Sequence, residues 1–60
     1  MDVEEVRRYV GKKVLIVLNN GFKYTTILPS TINTTFTIKD KYDNYVTIDC
    51  DMIKLISEVD

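Results

Sequence analysis

The sequence predicts a single, mainly β domain over residues 1–60, with a short N-terminal helix before a strongly bent barrel of five short antiparallel strands. Three observations support this prediction. Asn20-Gly21 stands between two runs of β-forming residues and is typical of a type I′ hairpin turn. Apolar residues before Gly11 recur at helical spacing, whereas those after Lys13 largely follow the period of a strand. Turn-forming residues then separate the remaining β-forming segments.

The helix is predicted over residues 2–10. Asp2 is a typical N-cap, because its carboxylate can accept hydrogen bonds from the first helical turn. Val3, Val6 and Val10 form one apolar stripe, and so short a helix needs to pack that stripe on the rest of the chain. Gly11 ends the helix, since glycine adopts the left-handed conformation at little cost.

Five strands are predicted at about 13–18, 22–28, 35–40, 45–50 and 52–56. The first is an aliphatic run without alternation, which indicates a strand covered on both faces. In the third and fourth strands, the predicted core positions are Phe36, Ile38, Val46 and Ile48. Such a sheet has two open edges, and bending it into a barrel with the helix over one opening hides them.

The small size of the chain favours self-association. A domain of 60 residues buries a limited core, and such domains usually gain stability from disulfides, metals or partner subunits. Cys50 is the only cysteine and histidine is absent, which excludes an intrachain disulfide and a zinc site rich in cysteine and histidine. We therefore expect no metal and no other cofactor, and a homo-oligomer.

Charge and hydropathy exclude several classes of protein. With 8 basic and 9 acidic residues the net charge is −1, which is not the basic footprint of a duplex-DNA-binding protein. The longest aliphatic run, Val14–Leu18, is too short to span a bilayer, and the first residues do not follow a signal-peptide pattern. A lone thiol fits a reducing compartment. We expect a soluble, cytoplasmic protein that does not associate with membranes.

The reactive side chains do not form a catalytic pattern. No nucleophile is paired with a base, so we expect no enzyme activity. Asp40, Asp43, Asp49 and Asp51 gather near the fourth strand and are interpreted as turn-forming or edge-protecting charges, with a hard-cation site as the alternative. Cys50 falls on the apolar face of that strand and is interpreted as a small buried hydrophobic residue.

Residues 11–24, GKKVLIVLNNGFKY, resemble the first sequence motif of the Sm-like family, which includes the LSm proteins and bacterial Hfq. Residues 48–53, IDCDMI, fall where the family has its second motif. The resemblance implies an SH3-like, Sm-like barrel that assembles into a ring and binds or chaperones RNA. The chain departs from the family at the nucleotide pocket, where Asp49 and Cys50 replace an Arg-Gly pair. Asn33 is the amide that the resemblance leaves to contact a base.

Aromatic and basic side chains supply the other candidate RNA contacts. Tyr42 in a turn and Tyr45 on the polar side of the fourth strand can stack on bases, or pack against a second subunit. Lys23 and Arg8 belong to a modest basic region in the N-terminal half. The candidate contacts to single-stranded RNA are therefore Asn33, Tyr42, Tyr45, Lys23 and Arg8.

Neighbouring copies are expected to pair through the open edges of the fourth and fifth strands. Apolar contacts at this interface are expected from Tyr45, Met52, Ile53 and Leu55. The alternative function is a small SH3-like module that binds protein and not nucleic acid, by capturing a peptide strand at an open sheet edge.

Overall fold

The computed structural model describes residues 1–59 and confirms a mainly β chain with a short N-terminal helix and five antiparallel strands. In chain order the elements are α1 (Val3–Arg7), β1 (Lys13–Leu18), β2 (Lys23–Ile27), β3 (Thr35–Lys39), β4 (Tyr45–Asp49), a 3₁₀ turn (Cys50–Met52) and β5 (Ile53–Glu58). The strands form two sheets, one of order β2-β1-β5 and one of β3-β4. No ladder joins the sheets within residues 1–59, so they are not closed into a barrel.

The helix α1 is shorter than predicted, because residues 8–10 form hydrogen-bonded turns after it. Asp2 is the N-cap, as predicted, and its carboxylate accepts from a first-turn N–H at 3.5 Å. Val6 is fully buried, and the other two valines of the stripe are half-buried against the core. At five residues, α1 is too short to cross a membrane, and it is the one helix that the described chain contains besides the 3₁₀ turn.

The first hairpin turns at Asn20-Gly21, as predicted, but its turn is not of type I′. Only Gly21 in this turn has a positive φ, of 90°, and its N–H donates to the Leu18 carbonyl at 2.9 Å. This is a three-residue loop closed by glycine, another common hairpin connection. The Asn20 side chain accepts from the Phe22 N–H at 3.0 Å, so asparagine acts through its carboxamide and not through a positive φ.

The strand β1 lies at the centre of the three-stranded sheet and is buried on one face. Val14, Ile16 and Leu18 lie in the core, whereas Leu15 and Val17 on the other face are half-buried. The sequence predicted full cover on both faces. The structure corrects this prediction, because the second face of β1 remains partly accessible to solvent.

One aspartate organises the loop between β3 and β4. The Asp40 carboxylate accepts from the N–H groups of Tyr42 and Asn44, at 2.8 and 2.9 Å. Asp43 in the same loop has a φ of 65°, a conformation that aspartate tolerates better than most residues. These contacts hold a tight connection between the two strands.

The strand β5 covers Ile53–Glu58, later in the chain than the predicted 52–56. A 3₁₀ turn precedes it, because the Asp49 carboxylate caps that turn by accepting from the Asp51 N–H at 3.0 Å. β5 pairs antiparallel with β1, with one register shift near its start. The shift decides which side chains of β5 face the core.

The core contains side chains from α1, both sheets and the β2–β3 connection. Its buried members are Val6, Val14, Ile16, Leu18, Leu28, Ile32, Phe36, Ile38, Ile48, Cys50, Ile53 and Ile56. Three of the four core positions predicted in β3 and β4 are among them, and Val46 is half-buried. The alternation of apolar and polar residues in β3 and β4 therefore predicted their buried face correctly.

The helix segment joins the two sheets at one end. The Arg7 guanidinium donates twice to the Ile32 carbonyl, at 3.1 and 2.8 Å, and thereby holds the β2–β3 connection. The ammonium of Met1 donates to the Cys50 carbonyl at 2.8 Å, at the turn that leads into β5. These contacts lie far along the strands from the β3–β4 loop, where the candidate site is found.

Candidate nucleic-acid interface

An open groove of about 370 Å³ lies where β2 begins and the β3–β4 loop turns. One wall comes from β2 and the other from the loop. The lining residues are Lys23, Tyr24, Thr25, Asp40, Lys41 and Tyr42. The groove therefore combines two lysines and two aromatic rings with one aspartate.

The loop presents Tyr42 to solvent in a defined position. The Asp40 carboxylate binds the Tyr42 N–H, so the main chain beneath this ring is fixed. The side chain is 71% exposed. The Lys41 Nζ lies 5.2 Å from the centroid of the ring, within cation–π range. An exposed ring with an adjacent cation is suited to stacking a base whose phosphate lies nearby.

A second ring of the same type lies on β4. Tyr45 is 76% exposed, and its register partner across the hairpin is Lys39. The Lys39 Nζ lies 5.6 Å from the Tyr45 ring centroid and 3.7 Å from the Asp43 carboxylate. The hairpin thus carries two lysine–tyrosine pairs, one in the loop and one in the strands.

The structure brings some of the predicted RNA contacts together and separates others. Lys23 and Tyr42 face the same groove, and Tyr45 begins β4 just after the loop. Arg8 instead lines a separate hollow of about 190 Å³ beside Ile56. Asn33 lies in the β2–β3 connection, where its carbonyl accepts from the Cys50 thiol at 3.5 Å. Neither Arg8 nor Asn33 lines the groove.

Sequence reasoning did not single out Lys39, Lys41 or Thr25. The sequence does contain a signal for the two lysines, since Lys41 precedes Tyr42 and a short hairpin places Lys39 opposite Tyr45. The sequence contains no such signal for Thr25, because this residue reaches the groove only through the relative position of the two sheets. These residues extend the predicted site.

Two of the four clustered aspartates have a structural role. The carboxylates of Asp40 and Asp49 accept backbone N–H groups within their own turns. Within residues 1–59, no three acidic or cysteine side chains lie close enough together to hold a metal ion. This geometry agrees with the interpretation of Asp40 and Asp49 as turn-forming residues.

The thiol of Cys50 is buried, as predicted. Burial raises the pKa of this thiol above its ordinary value of 9.0, and Asp49 and Asp51 add to the increase. The nearby N-terminal ammonium acts in the opposite direction. The thiol therefore stays protonated at neutral pH and packs as a small apolar group.

The residues predicted at the subunit interface divide into two groups. Tyr45, Met52 and Leu55 are exposed, as a surface contact requires. Ile53 is 4% exposed and lies in the core of its own chain. The structure thus corrects the placement of Ile53, whose side chain is not available to a neighbouring copy.

Comparison with known proteins assigns no family to this chain. No family model, curated protein or solved structure matches it. The likeness to the Sm-like family is therefore one of short sequence motifs alone, in residues 11–24 and 48–53.

Proposed function

We propose that this protein binds single-stranded RNA through the surface formed by Lys23, Lys39, Lys41, Tyr42 and Tyr45, called here the lysine–tyrosine surface. The observation that carries the proposal is the repeated pairing of an exposed tyrosine ring with a lysine ammonium on one hairpin. Lys23 adds a third cation across the groove. Proteins that bind single strands combine aromatic rings for the bases with cations for the backbone.

The charge of the chain favours single strands over duplexes. The net charge is −1 and the surface offers three lysines, so few phosphates can be neutralised. Stacking on an aromatic side chain contributes about 1–3 kcal/mol per base and requires unstacked bases. Affinity therefore comes mainly from the two rings, and binding depends weakly on salt.

Self-association is the second part of the proposal. The outer edges of β4 and β5 have no strand partner within the described chain, and Met52 and Leu55 are exposed near the start of β5. Pairing of β4 with β5 of a neighbouring copy would join the sheets into the ring that the Sm-like resemblance implies. It would also repeat the lysine–tyrosine surface, so that one RNA strand engages several copies.

A fluorescence titration with labelled oligouridine at two salt concentrations tests RNA binding. Tyr42→Ala is expected to weaken binding about tenfold, because one stacking ring is lost. The matched control is Phe22→Ala, which removes an aromatic ring of similar exposure outside the surface. Lys23→Ala is expected to reduce the slope of log affinity against log salt by about 0.7. Absence of binding to the native chain at low salt contradicts the proposal.

A second candidate function is the SH3-like protein-interaction module. The observation that favours it is the open outer edge of β4, which offers main-chain groups to an extended peptide. In that case RNA does not bind, and a peptide partner slows amide exchange along β4. Exchange measured with RNA and with candidate peptides separates the two functions.

A further inference from the structure

The open edge of β2 forms one wall of the groove, and its main-chain groups can be assigned from the hydrogen bonds to β1. The Leu28 N–H donates to the Lys12 carbonyl at 3.0 Å, and the Leu18 N–H donates to the Phe22 carbonyl at 2.8 Å. Together with the register between β1 and β2, these two hydrogen bonds show that the even-numbered residues of β2 form the hydrogen-bonded pairs with β1. Alternate residues of an antiparallel strand direct their main-chain groups towards the partner and away from it.

The odd-numbered residues Lys23, Thr25 and Ile27 therefore direct their N–H and C=O groups away from β1. β2 is an edge strand, and no strand ladder joins it to β3 in the part of the chain that the structure describes. Two of these residues, Lys23 and Thr25, line the groove opposite Tyr42. The groove thus combines an aromatic ring with a strand edge whose main-chain groups have no strand partner within the described residues.

We infer that this edge reads the Watson–Crick face of one unpaired base, held in the groove beside Tyr42; the inference rests on the proposed function and specifies its ligand. On an extended edge, the carbonyl of Lys23 and the N–H of Thr25 are adjacent. A Watson–Crick face likewise presents a donor beside an acceptor, such as N3–H beside O4 in uracil. The volume of about 370 Å³ falls within the range of about 300–1,000 Å³ for small-ligand sites.

The chemistry of the site predicts its selectivity. Main-chain groups pair with any base whose donor and acceptor are adjacent, so the site tolerates different sequences. It rejects bases that are already paired, because their Watson–Crick faces are occupied. The lysines beside the groove contact the phosphates and do not distinguish bases.

Modified oligouridines test the inference on the native chain. N3-methyluridine blocks the Watson–Crick donor, whereas 5-methyluridine adds the same methyl group away from that face. We expect the N3-methyl oligomer to bind about tenfold more weakly than unmodified oligouridine, and the 5-methyl oligomer to bind within about threefold of it. Equal binding of the two methylated oligomers overturns the inference and leaves RNA binding in place. Failure of unmodified oligouridine to bind overturns the proposed function itself.

A proline substitution tests the strand edge directly. Thr25→Pro removes an N–H that points away from β1, and edge strands tolerate proline at such positions. We expect a folded protein whose affinity for oligouridine falls about tenfold. The control is Thr26→Pro, which removes an N–H directed at β1 and is expected to unfold the chain. Circular dichroism measures whether each variant is folded. A folded Thr25→Pro protein with unchanged affinity overturns the inference. If that variant unfolds, proline's fixed φ is not tolerated at this position, and the two methylated oligouridines on the native chain decide between the outcomes given above.

Discussion

Single polar side chains shape the turns of this protein. Asn20, Asp40 and Asp49 each accept the backbone N–H of the residue two positions later. Such contacts stabilise a change of chain direction that the strand ladders cannot provide. Acidic residues that form a cluster in the sequence are therefore distributed among separate turns, and Asp40 also fixes the main chain of Tyr42.

Replacing Asp40 with alanine tests this role. Because two hydrogen bonds to its carboxylate are lost, we expect the free energy of unfolding to fall by about 1–2 kcal/mol. Urea denaturation measures the change. Asp51→Ala is the control, since the Asp51 carboxylate forms no hydrogen bond or ion pair within residues 1–59. Equal losses in the two variants would contradict the assignment.

The raised pKa of Cys50 predicts a pH dependence of stability. Above about pH 9.0 the thiol ionises more readily in the unfolded chain than in the folded one. The folded state then binds more protons, so its stability falls as pH rises from there through the folded pKa. We expect the stability of the native chain to drop more between pH 8 and about pH 10 than that of Cys50→Ala. If the free energy of unfolding of the two proteins changed in parallel with pH, the thiol would not be the cause of the pH dependence.

At the scale of elements, alternation assigned the strands well wherever the pairing was regular. β3 follows an exposed–buried alternation along its whole length, so its inner face was predicted correctly. In β5, Ile53 pairs with Leu18 and Leu55 pairs with Val17, which leaves one extra residue in β5. This bulge-like shift places Ile53 in the core and Leu55 outside, although strict alternation predicts one face for both.

The shift in β5 gives a direct comparison of two substitutions. Ile53→Ala removes a side chain that is 4% exposed and is expected to cost about 2–4 kcal/mol of unfolding free energy. Leu55→Ala removes one that is 52% exposed and is expected to cost less than about 1 kcal/mol. Denaturant unfolding at low protein concentration measures both. A reversed order would mean that the register of β5 is different.

At the scale of the whole molecule, two sheets share one core and are joined at one end by the helix segment. Open strand edges present unpaired main-chain groups, and a 60-residue chain has only a small core, so pairing along these edges is expected to stabilise the protein. The proposed function places other copies at β4 and β5 and RNA at the lysine–tyrosine surface, and the further inference adds the edge of β2 to the RNA site. Assembly and binding would therefore occupy different parts of the surface, with Tyr45 near both.

Light scattering after size exclusion tests the assembly. We expect the native chain to elute as a homo-oligomer and Leu55→Lys to elute as a monomer, because a charge disrupts the exposed apolar contact beside β5. Ile27→Lys is the control, since it places the same charge at another exposed apolar position, on β2. A native chain with the mass of a single copy would contradict self-association.

The sequence predicted part of the candidate site. Lys23, Tyr42 and Tyr45 were identified from residue type and from their places in predicted turns and strands, and the structure brings them to one region. Arg8 and Asn33 were grouped with them, but they lie elsewhere on the chain. Thr25 was missed because an unpaired strand edge is a property of the sheet and has no signature in residue type.

By itself, the sequence determined the elements of this protein, because each depends on neighbouring residues. Helical spacing placed α1, an aliphatic run placed β1, alternation placed strands such as β3 and β4, and Asn20-Gly21 placed the first turn. Tertiary structure alone decided that the two sheets remain separate, that the edge of β2 is open, and that Ile53 is buried. These features depend on strand register and on contacts between distant residues, which local preferences do not specify.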